Sequence, residues 1–231
     1  MTGQAHHSGS APTAPIADQA ALVRVGEQVQ KRLIADPSVH RVDVSQAEIF
    51  VVSQFVTPEE CSHLMGLIDQ VAKPSSVFGP DYAAGGRSSY SGDVDPADSF
   101  VRMIERRIAD LMGLELAWGE AVQGQRYMPG QEFQHHYDWF NTAADYWPEV
   151  ESTGGQRSWT AMAFLNDVEE GGETDFNRLG ISIPPQQGAL AMWNNARPDG
   201  TPNPDTMHAG SKVIRGTKYV ITKWFRTRRW G

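Results

Sequence analysis

The chain is poor in cysteine, with Cys61 as its one cysteine among 231 residues. A single thiol excludes a disulfide within the chain, a four-cysteine zinc site and an iron–sulfur cluster held by cysteines alone. Long apolar runs are also lacking, because none approaches the roughly 18 residues that a membrane-spanning helix needs. Any metal site must therefore be built mainly from histidines and carboxylates, and a membrane is not indicated as a partner.

Basic residues are outnumbered, with 20 Lys and Arg against 28 Asp and Glu and a formal net charge of −8. Nucleic acids and anionic membranes attract basic proteins, so this balance argues against both as the main partner. The N-terminus shows no basic segment followed by an apolar stretch, and a secretory signal is not indicated. We therefore expect a protein of a reducing compartment, the cytoplasm.

The chain does have enough apolar material for one core, with 40% hydrophobic residues and seven tryptophans. Residues 1–15 are small and polar and predict a disordered N-terminal arm. Residues 16–113 predict helices with one or more strands, and residues 114–231 predict short strands separated by turn residues. Helices first and strands later favour a single domain over 16–231 that is α+β and mainly β.

Periodicity and turn residues place the individual elements. Helices are predicted over 16–34, from a Thr57 cap through 68 or 71, and over 97–112. Strands are predicted over 48–56, 120–127, 133–139, 158–165, 173–176, 181–183, 189–193, 205–208 and 218–226. Eight short strands in the second half are typical of a barrel or a jelly roll. The Gly- and Ser-rich residues 79–95 predict a loop.

A candidate metal site begins in the predicted strand 133–139, where His136 and Asp138 stand two residues apart. Alternate residues of a strand point to the same face, so an imidazole and a carboxylate would converge on one point. His135 would point to the opposite face, and we interpret it as a surface or packing residue. A His-x-Asp triplet arises often by chance and needs further support.

Three residues elsewhere supply that support. His208 is one later histidine of the strand-rich half, and two histidines with one carboxylate form the facial triad that suits non-haem Fe(II) oxygenases. Lys218 follows on the next predicted strand, and a buried lysine would need an anionic partner, such as a bound carboxylate. Tyr127 would add a polar-tipped aromatic on a neighbouring strand. A site with only imidazole and carboxylate ligands could bind either Fe(II) or Mn(II).

Around these residues the sequence resembles the prolyl 4-hydroxylase branch of the 2-oxoglutarate- and Fe(II)-dependent dioxygenases, over about residues 84–226. The motifs that carry the resemblance are, in order, Tyr127-x-x-Gly130-x-x-Phe133-x-x-His136-x-Asp138, Phe164-Leu165-Asn166-Asp167-Val168-x-x-Gly171-Gly172-x-Thr174-x-Phe176, Pro185-x-x-Gly188-x-Leu190-x-x-Trp193-x-Asn195 and His208-x9-Lys218-x5-Trp224. The resemblance implies a double-stranded β-helix core, which is jelly-roll and cupin-like, with N-terminal supporting helices.

The resemblance also implies the cofactors and their ligands. His136, Asp138 and His208 would ligate Fe(II), and Lys218 would pair with the distal carboxylate of the cosubstrate 2-oxoglutarate. O2 would be the second cosubstrate, and ascorbate, vitamin C, could serve as the reductant. His136, Asp138, His208 and Lys218 are therefore the expected catalytic set.

Further residues are expected around this set. Tyr127 and Thr174 match positions that hydrogen-bond 2-oxoglutarate in the family, although Thr174 could equally be an ordinary strand threonine. Arg157 and Trp224 match positions near the peptide substrate, although Arg157 could instead pair with a surface carboxylate such as Glu151. Arg87 belongs to the predicted loop 79–95, which could select the substrate.

The expected activity is hydroxylation of a prolyl residue in a peptide or protein, with conversion of 2-oxoglutarate to succinate and CO2. Arg226 stands where some peptide-binding relatives have a histidine, which leaves the substrate open. One alternative keeps the reaction class and changes the substrate to a free amino acid or another small molecule. A second alternative is a non-catalytic module that senses metal and 2-oxoglutarate, against which the complete ligand set argues.

Overall fold

The computed structural model describes residues 16–75 and 86–231. The predicted arm, residues 1–15, lies outside these ranges. Residues 76–85, which include the start of the predicted loop 79–95, also lie outside them. The described residues form four α-helices: α1 Ile16–Ala35, α2 Pro58–Val71, α3 Ser99–Met112 and α4 Trp147–Ser152. None of these helices combines the length and the apolar composition needed to cross a bilayer.

The same ranges contain fourteen strands. They are β1 His40–Arg41, β2 Ile49–Val52, β3 Lys73–Pro74, β4 Tyr90–Asp93, β5 Gln123–Tyr127, β6 Phe133–His136, β7 Arg157–Phe164, β8 Glu170–Gly171, β9 Thr174–Phe176, β10 Ile181–Ile183, β11 Leu190–Asn194, β12 His208–Gly210, β13 Val213–Arg215 and β14 Lys218–Arg226. Eight strands form one sheet in the order β1-β2-β11-β7-β14-β5-β4-β3, and four form a second in the order β10-β9-β12-β6. Strands β13 and β8 form a separate pair.

Neighbouring strands in both large sheets are antiparallel, and several pairs join distant parts of the chain, as in a jelly roll. Within β14, Ile221 and Phe225 belong to the core cluster that includes residues of α1 and α3. Val220 belongs to the other core cluster, and Trp224 lines a cavity. Because the side chains of a strand alternate between two faces, one face of the large sheet packs on helices and the other faces the cavity.

Local sequence signals explain how the helices begin and end. Thr57 and Glu60 form a capping box at the start of α2, as predicted. At the start of α3 the carboxylate of Asp98 accepts from two backbone N–H groups, so this helix begins at Ser99 rather than at residue 97. Gly113 ends α3 with φ +67°, a left-handed conformation that favours glycine.

Two predicted elements are wrong. The predicted strand 205–208 is a 3-10 turn, Pro204–Thr206, followed by β12, because Asn203 caps the turn and a proline opens it. The predicted loop 79–95 contains β4, which pairs with β5 although its sequence is rich in turn-forming residues. In addition, the predicted strand 133–139 ends at His136, so that Asp138 lies beyond it.

Candidate active site

The two predicted metal-binding histidines meet across adjacent strands of the smaller sheet. His136 ends β6 and His208 begins β12, and the two residues are direct cross-strand partners with ring centroids 4.2 Å apart. Asp138 follows β6 and turns back toward the same point. One ligand atom from each of these three side chains lies within 4.8 Å of the others. The structure therefore brings together the three residues predicted as metal ligands.

Backbone carbonyls fix which nitrogen of each histidine faces the site. Nδ1 of His136 lies 2.9 Å from the carbonyl oxygen of Gln134, and Nδ1 of His208 lies 3.0 Å from that of Thr206. A carbonyl only accepts, so Nδ1 must carry a proton and donate it, and in the neutral ring the lone pair is then on Nε2. The two Nε2 atoms lie 3.9 and 3.8 Å from the Asp138 carboxylate.

Burial keeps these groups in the protonation states that a metal needs. Burial and the neighbouring His208 lower the pKa of His136 to about 3, so its imidazole is neutral. Burial alone would raise the pKa of Asp138, but His208 and His136 hold it below its ordinary value. Two imidazoles and one carboxylate form a donor set that fits a divalent ion such as Fe(II) or Mn(II).

Beside this cluster the cavity contains a buried lysine. Lys218 is 2% exposed, and within residues 16–75 and 86–231 its Nζ makes no salt bridge or hydrogen bond. Burial lowers the pKa of Lys218 to about 7, and Glu173 opposes this shift. Thr174 also lines the cavity, and its buried hydroxyl has no partner in the same part of the chain. A bound carboxylate would satisfy both groups.

Another part of the cavity wall consists of three side chains that are hydrogen-bonded one to the next. Tyr127 is the cross-strand partner of Lys218, and its hydroxyl donates to Oε1 of Gln125 at 2.7 Å. The amide nitrogen of Gln125 in turn donates to the hydroxyl of Thr222 at 3.0 Å. Tyr127 is thus fixed in the cavity wall, and Gln125 is a lining residue that carried no signal in the sequence.

Two of the three residues predicted near the substrate line the cavity. Arg87 donates to Oε1 of Gln123 at 3.0 Å, and its guanidinium carbon lies 4.7 Å from the centre of the Phe133 ring. Trp224 is 9% exposed and faces the cavity from β14. Both side chains therefore line the same cavity as the metal cluster.

Arg157 lies behind Trp224 and is not among the cavity-lining residues. Its guanidinium carbon is 3.9 Å from the centre of the Trp224 ring, and its nitrogens form two 2.7 Å bonds to the carboxylate of Glu120. Glu120 also pairs with Arg226 at 2.6 Å. Arg157 thus pairs with a carboxylate, as the alternative held, but this carboxylate is Glu120, whose side chain is only 12% exposed and not on the surface.

His135 behaves as its position in the strand predicts. Its side chain is 43% exposed and its Nε2 lies 3.6 Å from Asp175 on β9, away from the metal cluster. Cys61 is buried in the core, and burial raises the pKa of its thiol to about 11, which fits packing and not catalysis.

Similarity to known proteins decides the family. The model of the 2OG-Fe(II) oxygenase superfamily matches residues 122–226. Prolyl 4-hydroxylase 5 of Arabidopsis thaliana is 34% identical over 208 residues, which cover 76% of this chain and 67% of that protein. The chain belongs to the 2OG-Fe(II) oxygenase superfamily. A second Arabidopsis relative of this oxygenase, probable prolyl 4-hydroxylase 3, is 32% identical over 207 residues, with 76% and 68% coverage.

Solved structures agree with the fold of this oxygenase. A viral collagen prolyl hydroxylase from Paramecium Bursaria Chlorella virus-1, solved as a 2OG complex, superposes with a TM-score of 0.61 at 27% identity. That match covers 77% of this chain and 95% of the viral one. A prolyl hydroxylase of Trichoplax adhaerens has a TM-score of 0.59 at 11% identity, covering 93% and 94% of the two chains, and shows the fold alone. The predicted double-stranded β-helix and the predicted family are confirmed.

Proposed function

We propose that this oxygenase hydroxylates a prolyl residue in a peptide or protein, with O2 and 2-oxoglutarate as cosubstrates and succinate and CO2 as products. The observation that carries the proposal is one cavity that holds both a buried cluster of two histidines and an aspartate and a buried lysine that forms no salt bridge with any described residue. The names of the relatives support the prolyl substrate, because they are prolyl 4-hydroxylases and a collagen prolyl hydroxylase.

His136 and His208, through Nε2, and the Asp138 carboxylate would hold Fe(II). When bound, the iron supplies the activation of O2 that lets an unreactive C–H bond be oxidised. Ascorbate is proposed as the reductant that keeps the metal ferrous. The protein's part is to bind and orient the reactants, and the apolar side chains of Phe133, beside His136, and Trp193, beside His208, limit access of water to the ligands.

Lys218 would bind the distal carboxylate of 2-oxoglutarate. An ammonium that is buried without a partner gains a charge-assisted hydrogen bond when the dicarboxylate enters, and such a bond is strong where water is excluded. The free hydroxyl of Thr174 and the phenol of Tyr127 would complete this binding subsite. Arg87 and Trp224 would contact the peptide, and Arg157 would support Trp224 from behind.

We expect the affinity for 2-oxoglutarate to fall as pH rises above about 7. Lys218 is protonated below its pKa of about 7 and neutral above it, so binding of the dianion at higher pH must first take up a proton. The dissociation constant should then rise by up to about tenfold per pH unit. Calorimetric titration of the metal-loaded protein at several pH values and constant ionic strength measures how steeply the dissociation constant depends on pH.

The control for this slope is Lys218→Arg, since a guanidinium stays charged throughout the range. This variant should bind 2-oxoglutarate with a much flatter pH dependence, even where its larger side chain weakens binding overall. An equally steep slope in Lys218→Arg would show that another group titrates and that the assignment of Lys218 is wrong.

The substrate is tested with proline-containing peptides and matched peptides in which each proline is replaced by alanine. We expect iron-dependent formation of succinate, and a mass increase of one oxygen atom, with the proline peptides only. Succinate formed at equal rates with both peptide sets would contradict the prolyl substrate. Product formed only with free amino acids would favour a small-molecule enzyme, and binding of 2-oxoglutarate without turnover of any substrate would favour a sensor.

A further inference from the structure

A chain of buried polar side chains leads from the metal cluster into the eight-stranded sheet. The hydroxyl of Thr160 donates to Oδ2 of Asp138 at 2.7 Å, and Nδ2 of Asn195 donates to the Thr160 oxygen at 3.0 Å. Asp138, Thr160 and Asn195 are 6%, 0% and 2% exposed. We propose that Thr160, oriented by Asn195, is a positioning residue that fixes the orientation of the Asp138 carboxylate toward the metal, an inference that rests on the proposed metal site.

The direction of both hydrogen bonds follows from counting protons. A threonine hydroxyl has one proton to donate, and an ionised carboxylate only accepts. If the oxygen of the Asn195 amide faced Thr160, this single proton would have to serve Asn195 and Asp138 together. The amide nitrogen of Asn195 therefore faces Thr160, and the Thr160 proton is committed to Asp138.

The backbone positions make this contact rigid. Thr160 lies in β7, in register with Trp193 on β11 and with Trp224 on β14, at the centre of the large sheet. Asp138 instead follows β6 of the smaller sheet. The hydrogen bond from Thr160 thus connects the residue that follows β6 to the opposite sheet. It also restricts rotation of the Asp138 carboxylate about its Cβ–Cγ bond.

This rotation decides how many coordination positions the carboxylate can occupy. Thr160 uses one lone pair of Oδ2, which lies 3.8 Å from Nε2 of His208, while Oδ1 lies 3.9 Å from Nε2 of His136. A carboxylate can bind a metal through one oxygen or through both, and a hydrogen bond to one oxygen restricts the orientations in which it can do so. The positions that a carboxylate held in this way does not occupy stay open for 2-oxoglutarate and O2.

The test compares Co(II) binding, visible Co(II) absorption and 2-oxoglutarate affinity in three variants. Thr160→Val removes the hydroxyl at nearly constant volume, and we expect about 10- to 100-fold weaker Co(II) binding, an altered absorption spectrum and weaker binding of 2-oxoglutarate. Thr160→Ser keeps the hydroxyl and should restore all three. Thr227→Val is the matched control, because Thr227 also donates to a buried aspartate, Asp18, but away from the cavity; it should bind Co(II) like the wild type.

The outcomes separate this inference from the proposed function. If the wild-type protein binds neither Co(II) nor 2-oxoglutarate, the proposed function fails. If the wild type binds both, and folded Thr160→Val binds Co(II) with unchanged affinity and spectrum, the positioning role is overturned. Should Thr160→Val fail to fold, Thr160→Ala decides: it also removes the hydroxyl but places no methyl group against the carboxylate, and an unchanged Co(II) affinity and spectrum in that variant would equally overturn the role.

Discussion

Replacement of Asp138 by alanine is expected to abolish both metal binding and turnover of 2-oxoglutarate. Asp138 is the anionic member of the cluster, and without it the two histidines offer no negative charge to a divalent ion. Loss of a residue that merely supports a metal ligand costs about 10- to 100-fold in affinity or activity, so loss of the ligand itself should cost more. Isothermal titration with Mn(II) or Co(II) and a succinate assay measure the two effects.

The neighbouring histidine provides a control from the same stretch of chain. His135 stands beside His136, but its side chain is exposed and faces Asp175. His135→Ala should therefore keep metal affinity and succinate formation close to wild type, while His136→Ala should behave like Asp138→Ala. Undiminished turnover of 2-oxoglutarate by Asp138→Ala would show that the metal is held elsewhere.

The sequence was sufficient to predict the metal cluster but not its geometry. The His136-x-Asp138 spacing suggested two side chains on one strand face, yet β6 ends at His136 and the carboxylate comes from the loop that follows. The convergence arises instead from pairing of β6 with β12, which joins residues 72 positions apart in register. Such pairing is set by the tertiary fold, which the resemblance supplied and local periodicity could not.

Residues that support the site were missed for a different reason. Thr160 and Asn195 lie 35 positions apart in sequence and meet only because β7 and β11 are neighbours in the large sheet. A threonine inside an apolar strand is common, so its sequence context carries no functional signal. The Trp193-x-Asn195 motif marked the asparagine without indicating what it contacts.

Removal of the other buried lysine of β14 should have the largest effect on stability. Nζ of Lys223 lies 2.6 Å from Oε1 of Glu105 on α3, and the two side chains are only 3% and 6% exposed. Removing one partner leaves the other charge buried and unpaired, so we expect Lys223→Met to lower the free energy of unfolding by about 3–5 kcal/mol. Urea denaturation followed by circular dichroism measures this change.

Two comparisons test whether the unpaired charge is the cause. The double variant Glu105→Leu with Lys223→Met removes both charges and should recover most of the lost stability, because apolar replacements of a buried pair are often neutral. Arg215→Met breaks the pair with Glu169, whose side chains are 66% and 64% exposed, and should change stability little. A double variant no more stable than Lys223→Met would locate the effect in packing rather than charge.

Removal of Lys218, on the same strand, should not lower the free energy of unfolding as removal of Lys223 does. Lys218 is as buried as Lys223 but has no ionic partner among the described residues, so the folded protein without ligand must bear the cost of its desolvation. Lys218→Met should therefore leave the free energy of unfolding unchanged or raise it, although it removes the group that binds 2-oxoglutarate. Addition of 2-oxoglutarate with metal should stabilise the wild type more than Lys218→Met, since only the wild type gains the ion pair. Lys223 would thus contribute to stability and Lys218 to binding, because one lysine has its carboxylate within the chain and the other must receive it from the cosubstrate.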